Sequence, residues 1–133
     1  MSVTLALTSD AKNTVRTAAY GAVALLAAAS AKPHKAATAG SVALMSATGA
    51  VGHVLAAKSK DITLSGKSVA ELADQVLPAL TTATALLRQQ DPAEADNFRA
   101  SVLVALDAAS GSGRPGPVGA EMTRKITAAL HAA

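Results

Sequence analysis

The chain has no cysteine and no tryptophan, and only one tyrosine (Tyr20) and one phenylalanine (Phe98) in 133 residues. Without cysteine, disulfides, thiol catalysis and cysteine-ligated metals are excluded. The compartment stays open, because a disulfide-free chain can work in a cytosol or outside a cell. Aromatic side chains normally supply large blocks of buried area, so here the core must be built from something else. Stacking on unpaired bases has almost no platform either. No helix carries a basic recognition pattern, and Arg124-Lys125 reads as a short doublet on a solvated face. Nucleic acid is therefore not an expected partner. Histidine is scarce: no two of His34, His53 and His131 are three or four residues apart. No helix face thus presents a local pair of metal ligands. No Ser–His–Asp set or nucleophile elbow can be picked out. The sequence assigns no catalytic, cofactor-binding or metal-binding residue.

What is abundant is alanine, about a quarter of the residues. Alanine is the best helix former and lets helices approach closely. The charge is uneven. Residues 1–60 carry six bases against one acid, a net +5, and residues 61–133 carry six bases against eight acids, a net −2. A basic half can face an anionic partner, but solvated helix ends that keep an alanine-rich segment dispersed explain it as well.

The length suits one domain, and the patterning predicts five helices near 10–31, 34–57, 68–90, 92–110 and 118–132. Ser9 or Asp10 caps the first, and Lys32-Pro33 stops it. From Thr17 to Ala31 this helix is apolar on nearly every face, as expected of a buried helix or a membrane span. The second contains Gly40, Gly49 and Gly52, with a break expected near Gly49 or close backbone packing as the reason for the glycines. Ala39, Ala43 and Ala47 form a small-residue series along it. Ser68 opens the third helix with a capping box to Glu71, ahead of Val69, Leu72, Val76, Leu80, Ala83 and Leu87. Pro78 inside this helix predicts a kink or local break. Asp91-Pro92 opens the fourth, with Glu94 completing a second capping box and Asp96 paired to Arg99. Phe98, Val102, Ala105, Leu106 and Ala109 mark its apolar stripe. Val118, Met122, Ile126, Ala129 and Leu130 mark that of the last helix.

Four residues are candidates for ligand or anion contact. Gly66-Lys67-Ser68 looks like the end of a phosphate-binding loop, but Asp61 stands where the motif needs glycine. Lys67 and Ser68 at a helix start remain able to hold a lone anion. His53 sits among small residues and is expected to be partly buried, and Tyr20 is the polar group in an apolar helix.

Three readings of function follow. The first is a non-enzymatic helical binding or interaction protein, with a protein partner or self-association expected. The second is a membrane-associated or exported helical protein that uses the alanine-rich segments 17–31 and 36–57. Lys12 and Arg16 precede the apolar stretch from Ala18 to Ala28, and Ala29-Ser30-Ala31 has the form of a cleavage site, although Asp10 and the weak hydrophobicity of alanine oppose this. A third is an enzyme whose site is assembled across helices from Tyr20, His34, His53 or the acids of residues 91–96. A cytoplasmic location goes with the first reading.

The stretch Leu64-Ser65-Gly66-Lys67-Ser68-Val69-Ala70-Glu71-Leu72, the ladder to Leu87, the segment Asp91-Pro92-Ala93-Glu94-Ala95-Asp96-Asn97-Phe98-Arg99 and Glu121-Met122-Thr123-Arg124-Lys125-Ile126 carry a resemblance. Together they resemble uncharacterised small helical bacterial proteins, distantly similar to the tellurite-resistance (TerB-like) bundle. The resemblance covers residues 64–130. It implies an all-helical bundle and a stress-linked role. Tellurite-resistance members carry acidic residues after an early helix, where this chain has Lys32-Pro33-His34-Lys35, so no metal site is carried over. The expectation is a single-domain all-α bundle, with the N-terminal pair of helices at its centre.

Overall fold

A computed structural model describes residues 8–30, 32–56, 68–110 and 117–132. Every element among them is a helix: α1 (Ser9–Ala28), α2 (Pro33–Met45), α3 (Gly49–Ala56), α4 (Val69–Gln90), α5 (Pro92–Ser110) and α6 (Pro117–His131). The all-α bundle is as the patterning implied, with six helices where five were expected. The polar connector 58–67, in which Asp61-Ile62-Thr63-Leu64-Ser65 alternates over too short a run for a strand, lies outside the described residues.

The ends of the helices follow from local chemistry. Thr8, one residue ahead of the expected cap, accepts a hydrogen bond from the Ala11 amide at 3.1 Å and opens α1. The helix stops at Ala28, three residues short of the expected Ala31, and Pro33 then takes the first turn of α2. Proline there loses nothing, because that amide has no intrahelical partner. Ser68 accepts from the Glu71 amide at 3.2 Å and opens α4. Asp91 serves two helices. Its amide closes α4 on the Leu87 carbonyl at 2.7 Å, and its Oδ1 accepts from the Ala93 amide at 3.0 Å to open α5.

The expected second helix is two. The chain turns after Met45, and α3 begins at Gly49, whose φ of +79° is the positive-φ conformation that glycine adopts without strain. By contrast, α4 runs uninterrupted through Pro78, so the local break does not occur. Pro78 and Asp74 both lie on the exposed side. Water can satisfy the carbonyl that the proline leaves free, while Val76, Leu80, Ala83 and Leu87 continue the buried stripe beneath it.

Packing is centred on α1. Val15, Ala18, Ala19, Ala22, Val23, Leu25, Leu26 and Ala27 are all buried, and the helix contacts each of the other five. The second helix does not share the centre. Only Ala36, Gly40 and Leu44 of α2 are buried, and it lies along α5 at the periphery. On α6, Met122, Ile126 and Leu130 are buried as expected, whereas Val118 is exposed beside the start of the helix. No helix among the described residues is long and apolar enough to cross a membrane. The two alanine-rich segments are packed instead as α1 and the α2–α3 pair.

Gly40 shows how close this packing is. A Cβ built on it would stand 2.6 Å from Cγ1 and 2.9 Å from Cγ2 of Val23, a buried side chain on α1. A β-branched side chain held on all sides has few rotamers to retreat into. Gly40→Ala is expected to destabilise the bundle by about 1–3 kcal/mol in chemical denaturation. Adding Val23→Ala should recover part of that loss, and strictly additive losses would show that the two positions do not meet.

Candidate functional site

Of the four sequence candidates, Tyr20, His53 and Ser68 lie among the described residues, and no hydrogen bond joins one of them to another. His53 is exposed on α3, not partly buried, because the buried side of this short helix is taken by Val51, Val54 and Leu55. His34 and His131 are exposed as well. Among the described residues no ion pair joins a histidine to a carboxylate, and no group of three or more His, Cys, Asp or Glu could hold a metal ion. The Ser68 hydroxyl is used in capping α4. Lys67 lies outside the described residues.

Tyr20 is committed to the scaffold. Its hydroxyl donates to the Leu55 carbonyl at 2.7 Å, tying α1 to the last turn of α3, where carbonyls lack helical partners. Burial raises its pKa above the ordinary 10.0, because the phenolate would lose hydration. Thr81 does similar work between α4 and α6, donating to the Ala129 carbonyl at 2.8 Å. In α1, Asn13 Oδ1 and Arg16 Nε are shielded from solvent with no hydrogen-bond partner among the described residues. Arg16 is only 9% exposed, a buried cationic side chain on α1.

The acids of residues 91–96 are distributed over three tasks. Asp91 caps α5, and Asp96 pairs with Arg99 as its spacing implied. Glu94 does not complete a capping box. Its Oε1 accepts from the Val51 amide at 2.9 Å, so the carboxylate satisfies an orphan donor in the first turn of α3 and meets the positive end of that helix. One turn further along α5, the Asn97 carboxamide donates to the Thr48 carbonyl at 2.8 Å. Glu94 and Asn97 thus clamp the α2–α3 turn from the side. Gly49 fits between them: a Cβ there would stand 3.0 Å from Asn97 Nδ2 and 3.2 Å from Glu94 Oε1.

This clamp forms one end of a surface groove of about 310 Å³ between α2 and α5. Ala43, Ser46, Ala47 and Thr48 line one side, and Asn97, Ala100, Ser101 and Val104 the other. The first turns of α5 meet the turn that follows α2, and α5 then runs back alongside α2, so the two helices are antiparallel. Large apolar side chains stand open to solvent on this side of the bundle: Val104 lines the groove at 60% exposure, and Val42 and Met45 lie outside its lining on the outward face of α2 at 58% and 59%. These three were missed in the sequence, where attention fell on the small series Ala39, Ala43 and Ala47. The signal was present, since Thr38, Val42 and Met45 recur at helical spacing on a face that the buried Ala36, Gly40 and Leu44 leave outside.

No family model, no curated protein and no solved structure matches this chain. The groove and its rim must therefore be read from their own chemistry.

Two outcomes test this geometry. Tyr20→Phe should cost about 1 kcal/mol at neutral pH. The wild-type advantage should hold below pH 10.0 and disappear as pH rises through the raised pKa of the folded state, because the unfolded chain then releases the proton more readily. An advantage that persisted at high pH would show that the hydroxyl is not a buried donor. Glu94→Ala should destabilise by about 1 kcal/mol and speed hydrogen exchange at the Val51 amide while leaving the Ala93 amide protected. Faster exchange at the Asp91 amide, the donor that a capping box would give Glu94, with Val51 unchanged would restore the capping-box reading.

Proposed function

We propose that this chain is a non-enzymatic helical interaction protein that docks a protein partner on the α2–α5 face. The observation that carries the reading is the exposure of Val104 in a groove lined by small side chains, together with that of Val42 and Met45 on the outward face of α2. Apolar surface gathered in one place has a hydration cost that association relieves, and grooves between helices suit an inserted side chain. The polar groups first considered for chemistry support the same reading, since Ser68, Tyr20 and Glu94 hold the scaffold's own backbone. A cytoplasmic setting belongs to the proposal; the burial of α1, which packs its apolar surface into the bundle, favours it over a membrane-inserted one. A stress-linked role, implied by the tellurite-resistance-like arrangement, is part of the same proposal.

Site-specific photo-crosslinking in expressing cells tests the reading. A benzophenone amino acid at Val104 should give a discrete adduct whose protein component is identified by mass spectrometry. The same probe at Lys125, exposed on α6, should give none. Absence of an adduct at Val104, or equal adducts at both positions, would reject the face as a docking site.

A further inference from the structure

The docking face, if the reading above holds, has a definite partner in its own charge and shape. The described part of α2 and its cap carries Lys32 and Lys35 and no acid. α5 carries Glu94, Asp96 and Asp107 against Arg99 alone. Glu94 is engaged with α3, and Arg99 is paired to Asp96 with its side chain only 18% exposed. The outward stripe of α2 therefore reads Lys35, Thr38, Val42, Met45, basic at one end and apolar at the other. That of α5 reads Asp96, Ala100, Val104, Asp107, with Asp96 paired to Arg99 at one end, an apolar centre and the acid Asp107 at the other, and all eight residues are exposed.

We infer that the partner is a second copy of this chain, docked through the α2–α5 face about a two-fold axis parallel to the two helices. Such an axis exchanges the helices, so α2 of one copy lies over α5 of the other, twice. The basic helix then meets the acidic one at both contacts. Heights along the helices agree as well. Ala43 and Val104 line the same groove and the helices are antiparallel, so Val42, about 1.5 Å from Ala43 along the axis of α2, stands near the height of Val104. In the assembly Val42 of one copy rests at Val104 of the other, beside the small-residue floor. Lys35 comes within about one helical turn of the other copy's Asp107, inside the reach of a lysine stem. A partner with an acidic α2-like helix would face like charge at α5, which disfavours it. The result is a four-helix contact made of two helices from each copy.

The face is as long as α2, about 20 Å. That places the contact at the small end of specific interfaces, so association in the micromolar range is expected. Light scattering on size-exclusion fractions, from about 1 μM to about 1 mM chain, reads it out. The mass should rise from 13.1 kDa to twice that value. Val42→Glu and Val104→Glu should hold the protein at the single-chain mass throughout, with circular dichroism unchanged because both positions are exposed. Lys35→Glu should raise the midpoint concentration about tenfold, and Asp107→Lys in the same chain should return it toward wild type. A single-chain mass at every concentration would overturn self-association. A dimer indifferent to all of these substitutions would overturn the face. A single-chain mass together with a Val104 adduct to a different protein would reject the second copy and leave the interaction reading standing.

Discussion

Phe98 is the only phenylalanine in the chain and tryptophan is absent, so nearly every contact between helices is made by Leu, Val, Ile and Ala. Small side chains bury little area each. The helices compensate by approaching closely, because dispersion falls off steeply once a gap opens between facing methyl groups. Gly40 against Val23 is the tightest expression of this constraint, and it seats α2 on α1. The burial of α1 on nearly all sides has the same cause. A helix whose side chains are mostly alanine must be touched by several neighbours before its apolar surface is accounted for.

Close approach at the centre has a consequence at the edge. α2 spends its narrow side, Ala36, Gly40 and Leu44, on the bundle and so leaves Val42 and Met45 outside. The alanines and serines between α2 and α5 fill too little space to close the surface, and a groove remains. The polar ties that border it are between elements distant in sequence. Glu94 and Asn97 reach back more than forty residues to fix the turn that ends α2 and begins α3. The same residues that stabilise a break in the helix also set the shape of the surface beside it.

On the proposed reading, this arrangement joins stability to recognition. Tyr20, Ser68, Thr81 and Glu94 each satisfy a backbone group near a helix end. With its polar side chains largely occupied in this way, the chain offers its surroundings an apolar patch bordered by one basic and one acidic helix. On the proposed reading, such a surface selects its partner by charge pattern and fits it by small-residue packing. It requires no polar constellation with fixed sequence spacing, which is why no motif announces it.

Alanine content, apolar periodicity and capping residues by themselves determined the fold class, the buried stripes of α4 and α5, the caps at Ser68 and Asp91 and the Asp96–Arg99 pair. These depend on neighbours within a turn or two along one helix, so they are legible in one dimension. Only the tertiary structure decided that Glu94 serves α3 and not its own helix, that Pro78 is harmless on a solvent face, that His53 points outward and that α2 is peripheral. Each of these depends on which helix lies alongside, a relation between residues dozens of positions apart. The proposed docking face belongs to the second kind: Val42 and Val104 are ordinary apolar residues at helical spacing, and only the antiparallel packing of α2 on α5 brings them to one exposed surface.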